Sequence, residues 1–211
     1  MTVRSLPAPF RHGGKIARLV ASVMLALMLS MAGVGAVLAK SINFYAEYYP
    51  ENILPSLRVI HQIDGALSDA RRLEQQHILT DDDKEKKALS DRIAKARADL
   101  KQRLKDYELL AADDEDRALL NKVGDGAAAY FVVQEKVIKA SEDSAADPTQ
   151  GTAAKDLTFG PARLAFTPVR EAINKWWDYN EKLAGVTTES ALSAYNRVLW
   201  IFAIASLVGL A

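Results

Sequence analysis

Arginine and hydroxyl side chains are the residues of this sequence whose types and spacing suit the binding of a small ligand. A guanidinium group holds a carboxylate through two parallel hydrogen bonds, and several guanidinium groups together attract anions. One predicted helix carries Arg71 and Arg72, and another carries Arg163 and Arg170. We therefore predict a site for a small carboxylate, formed by Arg71, Arg72, Tyr130, Arg163, Thr167 and Arg170.

The spacing of these residues predicts that they lie at a similar height in the fold. Arg163 and Arg170 are seven residues apart with Thr167 between them, so all three share one side of a helix near its start. Arg71 and Arg72 lie two to three turns before the predicted end of their own helix. Tyr130 is predicted on the core stripe of a third helix.

An alternative interpretation gives these residues purely structural roles. Each arginine flanks a stripe of apolar residues, where interhelical salt bridges are common, and Asp69, Glu74 and Glu171 are available as partners. Tyr130 would then be an ordinary core residue with its hydroxyl group satisfied. Both interpretations stay open at this point.

The sequence contains no pattern that indicates an enzyme, a metal site or a cofactor site. Without cysteine, thiol catalysis, disulfides and thiolate metal sites are excluded. His61 and His77 are about 24 Å apart along one predicted helix, too far to share a metal. Acidic runs at 81–83 and 113–116 are predicted to be solvated helix starts. The 27 basic and 27 acidic residues leave no net charge to attract nucleic acid.

Apolar residues recur every three or four positions in four segments, which predicts four amphipathic helices. The first ends near Leu79, the second covers the stripe from Leu89 to Ala111, and the third covers the stripe from Leu120 to Ser141. Gly124 and Gly126 either weaken the third helix or allow a neighbour to approach closely. Residues 142–160 are predicted to be a long break, and the fourth helix is predicted to begin near Pro161.

Two apolar runs predict membrane spans. Residues 15–39 carry no charge after Arg18 and follow a basic N-terminus, which predicts that the N-terminus is cytoplasmic and the next segment is outside. A cleaved signal peptide is the alternative. The second run, residues 198–211, reaches the end of the sequence. The predicted organisation is a cytoplasmic N-terminus at 1–15, a span at 16–39, an exported domain at 40–194 and a second span at 195–211.

Short connections between the four predicted helices require antiparallel neighbours. The predicted fold is therefore all-α, an antiparallel up-down-up-down four-helix bundle flanked by two transmembrane helices. The fourth helix has no stop signal before Leu199, so we expect it to continue into the second span.

This layout resembles the sensory half of the bacterial methyl-accepting chemotaxis proteins. At residue level, the segment ARRLEQQHIL, residues 70–79, is similar to the arginine-bearing stretch of the first bundle helix in that family. The resemblance implies a periplasmic bundle on the bacterial inner membrane that binds an amino or organic acid near its membrane-distal end, often at a homodimer interface. Arg71 or Arg72, with Arg163, Thr167 and Arg170, occupy comparable places.

The resemblance also implies cytoplasmic signalling proteins as partners. The cytoplasmic signalling helices of the family do not follow the second span in this sequence, so chemoreceptor, histidine kinase and cyclic-dinucleotide enzyme outputs all remain open. A bundle without a small ligand, which binds another exported protein or spaces two membrane anchors, is the alternative from a different functional class.

Overall fold

The computed structural model describes residues 13–144 and 146–210 and is helical almost throughout this part, with no strand in it. The six α-helices are α1 (Gly13–Tyr48), α2 (Leu54–Leu79), α3 (Asp83–Tyr107), α4 (Asp114–Asp143), α5 (Pro148–Leu157) and α6 (Arg163–Leu210). Short π-helical segments, Tyr49–Ile53 and Thr158–Ala162, join α1 to α2 and α5 to α6. The predicted all-α four-helix fold with two membrane-length helices is confirmed.

The chain divides into two compact units. One, the bundle unit, is Tyr48–Thr187, and the other combines Met1–Glu47 with Thr188–Ala211. The predicted exported domain, residues 40–194, encloses the bundle unit, and its membrane boundaries remain a prediction. Most of the predicted cytoplasmic segment, residues 1–15, lies outside the described residues, as does Ala211 at the end of the predicted second span.

The second unit contains the apolar parts of α1 and α6. Two helical stretches in the described part, within Ala17–Leu79 and Thr149–Leu207, are long and apolar enough to cross a membrane. Large apolar side chains on them are exposed, for example Leu19 at 67% and Trp200 at 70%. Apolar side chains that remain uncovered within a unit are expected where lipid, rather than water, surrounds a helix.

The core of the bundle unit follows the predicted stripes. All seven predicted stripe residues of α4 are buried, from Leu120 to Ser141. Five of them, all except Gln134 and Ser141, pack with Ile60, Ile63 and Leu67 of α2 in one apolar cluster to which α3 and α6 also contribute. Burial of each large side chain contributes about 1.5–3 kcal/mol, so this cluster is the main source of the bundle's stability.

Gly126 lets α4 and α6 approach closely, which was one of the two predicted roles. A Cβ atom added to Gly126 would lie 3.0 Å from Cγ2 of Val169 in α6. The neighbouring Gly124 has more room, because its added Cβ would lie 3.8 Å from Leu104.

Acidic residues cap three helices of the bundle unit. Asp82 accepts hydrogen bonds from the backbone N–H groups of Lys84 and Glu85 at the start of α3. Asp113 and Asp147 accept equivalent bonds at the starts of α4 and α5. The prediction that the acidic runs mark helix starts is therefore confirmed for α3 and α4.

The prediction that the fourth helix begins near Pro161 was wrong. Helix α4 ends at Asp143, and helical structure resumes at Pro148, where Asp147 caps α5. Proline suits the first turn of a helix because its missing N–H has no partner there. Pro161 instead lies in the π-helical segment Thr158–Ala162 and does not end the helix.

Candidate functional site

The structure separates the six predicted ligand residues into two groups. Arg71 of α2 and Tyr130 of α4 are buried in the bundle unit, at 9% and 0% exposure. The remaining four lie on the outer surface of α2 or α6: Arg72, Arg163, Thr167 and Arg170.

Arg71 and Tyr130 both bind the carboxylate of Glu74, which is fully buried. Oε1 of Glu74 accepts a hydrogen bond of 2.5 Å from Nη1 of Arg71 and a further bond from the hydroxyl of Thr158. Oε2 accepts a bond of 2.6 Å from the hydroxyl of Tyr130. Arg71 also donates to the backbone oxygen of Thr158 at 2.7 Å. Three elements of the bundle therefore meet at one carboxylate.

Gln134 and Arg97 extend this group to α3. Nε2 of Gln134 donates to the hydroxyl of Tyr130 at 3.0 Å and to the backbone oxygen of Ala70 at 2.8 Å. Its Oε1 accepts a bond of 2.8 Å from Nε of Arg97. We call the connected side chains the Glu74 network: Arg71, Glu74, Arg97, Tyr130, Gln134 and Thr158.

Burial controls the protonation of the Glu74 network. It raises the pKa of Tyr130, and the negative charge of Glu74 raises it further. The hydroxyl of Tyr130 therefore stays protonated and acts as a donor. Burial also lowers the pKa of Arg97, against the opposing effect of nearby acidic groups. A guanidinium group nevertheless remains charged at any ordinary pH.

Glu74 occupies the position that the sequence analysis assigned to a ligand carboxylate. A guanidinium and two hydroxyl groups already hold it, which is the recognition chemistry predicted for an external acid. The sequence signal for this arrangement was present, because Glu74 is three residues after Arg71 and was one of the alternative salt-bridge partners. What the sequence did not reveal was Thr158, which lies 87 positions away from Arg71.

The four exposed residues of the predicted site make weaker contacts than Arg71 and Tyr130. Arg72 pairs with Asp69 at 2.9 Å, with both side chains more than half exposed. Nε of Arg170 lies 3.7 Å from Oδ1 of Asp64, which is beyond hydrogen-bonding distance. In the part of the chain that the structure describes, Arg163 has no salt bridge, and its backbone oxygen accepts a bond of 3.0 Å from Thr167.

Contacts of α2 with the π-helical segment Thr158–Ala162 and the start of α6 show that α2 runs antiparallel to them. Arg71 binds Thr158 and lies 5.8 Å from the ring of Phe166, while Asp64, two turns earlier, faces Arg170. Arg71 therefore lies at the same height in the bundle unit as the segment from Thr158 to Phe166.

A second buried carboxylate was missed by the sequence analysis. Asp116 of α4 is fully buried, although it belongs to the acidic run 113–116 that was predicted to be solvated. It accepts hydrogen bonds from Trp176 at 2.6 Å, from Tyr107 at 2.9 Å, and from Asn180 at 3.3 Å. Its position four residues before Leu120, on the same stripe, was the available signal.

Neutral donors hold Asp116, in contrast to Glu74. The backbone N–H of Ala112 completes the set with a bond of 2.9 Å to Oδ2. Burial raises the pKa of Tyr107, and the charge of Asp116 adds to this effect, so the tyrosine hydroxyl remains a donor. We call Asp116 and the side chains of Tyr107, Trp176 and Asn180 the Asp116 network, which links α3 and α4 to α6.

A family model described as a four helix bundle sensory module for signal transduction matches residues 14–195. No curated protein matches the chain.

Proposed function

The chain belongs to the family of four-helix-bundle sensory modules for signal transduction, and we propose that it is the sensory half of a bacterial transmembrane chemoreceptor. In this proposal the bundle unit is periplasmic, the apolar parts of α1 and α6 cross the inner membrane, and the ligand is a small organic or amino acid. The output would be control of chemotaxis through cytoplasmic signalling proteins.

The observation that carries this proposal is that α6 combines exposed basic residues with a membrane-length apolar segment. This one helix, Arg163–Leu210, holds the exposed Arg163, Thr167 and Arg170 near its start and a membrane-length apolar segment near its end. Because both regions belong to one continuous helix, a displacement along its axis at the basic surface would be passed to the apolar segment.

The exposed basic residues are the best candidates for carboxylate binding. Arg163 has no salt bridge in the described part of the chain, and the Arg170 side chain is half exposed with a loose contact to Asp64. Donors on both guanidinium groups are thus available to a ligand, and Thr167 lies between them. Arg72 would add a third guanidinium from α2, where Asp69 is its competing partner.

Arg71 and Tyr130 have a different part in the proposal. A ligand carboxylate would reach them only by displacing Glu74, which would leave a second carboxylate buried without its partners. Such a displacement is costly, since an unpaired buried charge destabilises a protein by several kcal/mol. We therefore assign them a structural role: Arg71 holds α2 to Thr158, and Tyr130 holds α4 to Glu74 of α2.

The proposed mechanism is a shift between two positions of α6. A ligand that binds one position better than the other changes their populations by its difference in affinity, typically about 1–3 kcal/mol. The Asp116 network would supply the resting position, because its bonds from Trp176 and Asn180 are directional and break on a small axial movement.

A homodimer is part of the proposal. The apolar stripe of α2 is buried within its own bundle, so a partner subunit would contact the exposed face of this helix instead. That face is mostly polar and runs along Arg58, His61, Gly65, Asp69, Arg72 and Gln76.

Calorimetric titration of the full chain in lipid nanodiscs tests the ligand assignment, with succinate, citrate and aspartate as probes. We expect one of these acids to bind, and the double variant Arg163→Ala/Arg170→Ala to weaken its affinity at least about tenfold, the loss of one to two charge-assisted hydrogen bonds. Arg92→Ala, an exposed arginine on α3, is the matched control. Absence of binding, or equal affinity in all three proteins, would overturn the assignment.

A second candidate is a bundle that binds another protein rather than a small acid. It is favoured by the salt bridges of Arg71 and Arg72, which occupy two of the four predicted arginines, while Arg170 lies near Asp64 without a hydrogen bond. Exposed apolar side chains such as Leu79 and Phe159 would contribute to such a surface.

The output of the sensory module has its own alternative. The module would then control a histidine kinase or a cyclic-dinucleotide enzyme in place of chemotaxis.

A further inference from the structure

His77 is a buried, titratable side chain that the proposed ligand site does not use. It lies in the last turn of α2 and is fully buried. Nδ1 of its ring is 2.9 Å from the hydroxyl of Ser141 in α4, and Nε2 is 3.1 Å from the hydroxyl of Ser90 in α3. One imidazole ring thus connects three helices.

The contact with Ser141 determines where the neutral ring carries its proton. The hydroxyl of Ser141 donates its single hydrogen to the backbone oxygen of His77, at 3.0 Å. The same oxygen atom of Ser141 must then accept from Nδ1, so Nδ1 bears the hydrogen. In the neutral ring, Nε2 is therefore an acceptor that faces Ser90.

Ser90 has one hydroxyl hydrogen and two possible acceptors. These are Nε2 of His77 and Oε1 of Glu142 in α4, each 3.1 Å away. When the ring is neutral, Ser90 donates to Nε2. When the ring is protonated, Nε2 becomes a donor to Ser90, and the hydroxyl is free to donate to Glu142. A single proton therefore decides whether Ser90 links α3 to α4.

Glu142 gives this ring a connection to solvent. Its side chain is 52% exposed, whereas His77 is fully covered, and Oε1 lies 4.0 Å from Nε2. A proton taken up by the carboxylate can pass to Ser90 while Ser90 passes its own hydrogen to Nε2. The carboxylate and the hydroxyl are regenerated, and the ring gains one positive charge.

Charged groups on two helices act on the ring with opposite signs. Burial lowers the pKa of His77, the carboxylate of Glu142 opposes this effect, and the ammonium group of Lys86 in α3 adds to it. Lys86 is itself buried and donates to the backbone oxygen of Ser141 at 2.5 Å. These two are the charged groups that affect the ring among the described residues.

We propose that His77, Ser90 and Glu142 form a proton sensor at this end of the bundle unit, separate from the carboxylate site. Acidification charges the buried ring, turns the Ser90 hydroxyl from His77 to Glu142, and places a positive charge beside Lys86. The buried positive charge beside Lys86 weakens the packing of the end of α2, although Ser90 now links α3 to α4. The bundle would then report the acidity of its surroundings as a second input.

Nitrogen NMR of the full chain in nanodiscs, with ¹⁵N-labelled histidine, tests the geometry without any substitution. We expect the neutral His77 ring to carry its hydrogen on Nδ1 and to titrate below the ordinary histidine value of 6.5. His77→Asn identifies its signals. A neutral ring protonated on Nε2, or a ring that stays neutral down to pH 4, would overturn the proposal.

Two substitutions that remove charges of opposite sign beside His77 test the sensor. Glu142→Gln should lower the titration midpoint of His77 and Lys86→Gln should raise it, each by about half a pH unit or more, since each removes one neighbouring charge. Equal midpoints, or shifts in one direction, would show that these two charges do not act on the ring and would contradict the sensor.

Discussion

The indole N–H of Trp176 in α6 donates a hydrogen bond of 2.6 Å to Oδ1 of Asp116 in α4, and both side chains are fully buried. The rings of Trp176 and Tyr107 also pack edge to face, with centroids 4.3 Å apart. One tryptophan therefore joins α6 to α3 through an aromatic contact and to α4 through a charged acceptor.

Replacement of Trp176 by phenylalanine tests this contact. The ring is largely retained but the donor is lost, and a hydrogen bond to a charged group contributes about 1.5–3 kcal/mol. We expect Trp176→Phe to lower the free energy of unfolding by at least that amount in guanidinium titration of the full chain in detergent micelles. Trp177→Phe, at the adjacent position with 38% exposure, is the control. Equal effects of the two substitutions would show that Asp116 does not depend on this donor.

The two glycines of α4 should respond differently to alanine. Alanine is favoured over glycine in a helix interior by about 1 kcal/mol. Gly124→Ala meets only an ordinary contact with Leu104, so we expect it to stabilise the bundle by about 0.5–1 kcal/mol. Gly126→Ala places a methyl group 3.0 Å from Val169, so we expect no gain or a loss. Thermal unfolding of the two variants measures the difference, and a similar rise in both would refute the close approach.

Two acidic residues of α2 form salt bridges of the same spacing in different surroundings. Glu74 pairs with Arg71 in the core, and Asp69 pairs with Arg72 at the surface. We expect Glu74→Gln to destabilise the full chain by about 3–5 kcal/mol, because it leaves a buried guanidinium without its carboxylate. Asp69→Asn should cost no more than about 1 kcal/mol.

Guanidinium titration of both variants measures this contrast. A replacement of the whole buried pair, Arg71→Met/Glu74→Met, should recover part of the loss, since it removes the unpaired charge. If Glu74→Gln and Asp69→Asn had equal effects, Glu74 would not hold the network.

His77 makes the stability of the bundle depend on pH. Because its pKa is below the ordinary value of 6.5 in the folded chain, the unfolded chain binds a proton first as the pH falls. The free energy of unfolding should therefore decrease as the pH is lowered from 6.5 to the pKa of the folded state. Thermal unfolding between pH 7.5 and 5 should show this decrease in the wild type and less of it in His77→Asn.

The same pH series provides its own controls. The pKa values of Asp113 and Asp147 are held below 3.8 by hydrogen bonds from Tyr179 and Thr149 respectively, so these groups titrate below the range. A dependence that survives in His77→Asn would assign the effect to another group.

Local patterns in the sequence were sufficient for the architecture. The spacing of apolar residues indicated the four bundle helices, and the acidic runs marked the starts of α3 and α4, since helix period and capping depend on near neighbours. The exception was the fourth helix, where small and polar residues around Pro148 and Gly151 concealed α5.

The candidate site depended on contacts between distant parts of the chain. The sequence identified the arginines and hydroxyl groups but treated Arg71 and Arg72 alike. Successive residues of a helix point about 100° apart, so the fold buried Arg71 with Glu74 and Thr158 and left Arg72 in solvent. In the same way it buried Asp116 from a run of otherwise similar acids. Residue types and helical period were thus determined by the sequence, whereas the tertiary structure decided which charges meet, because that depends on how helices pack and not on spacing within one helix.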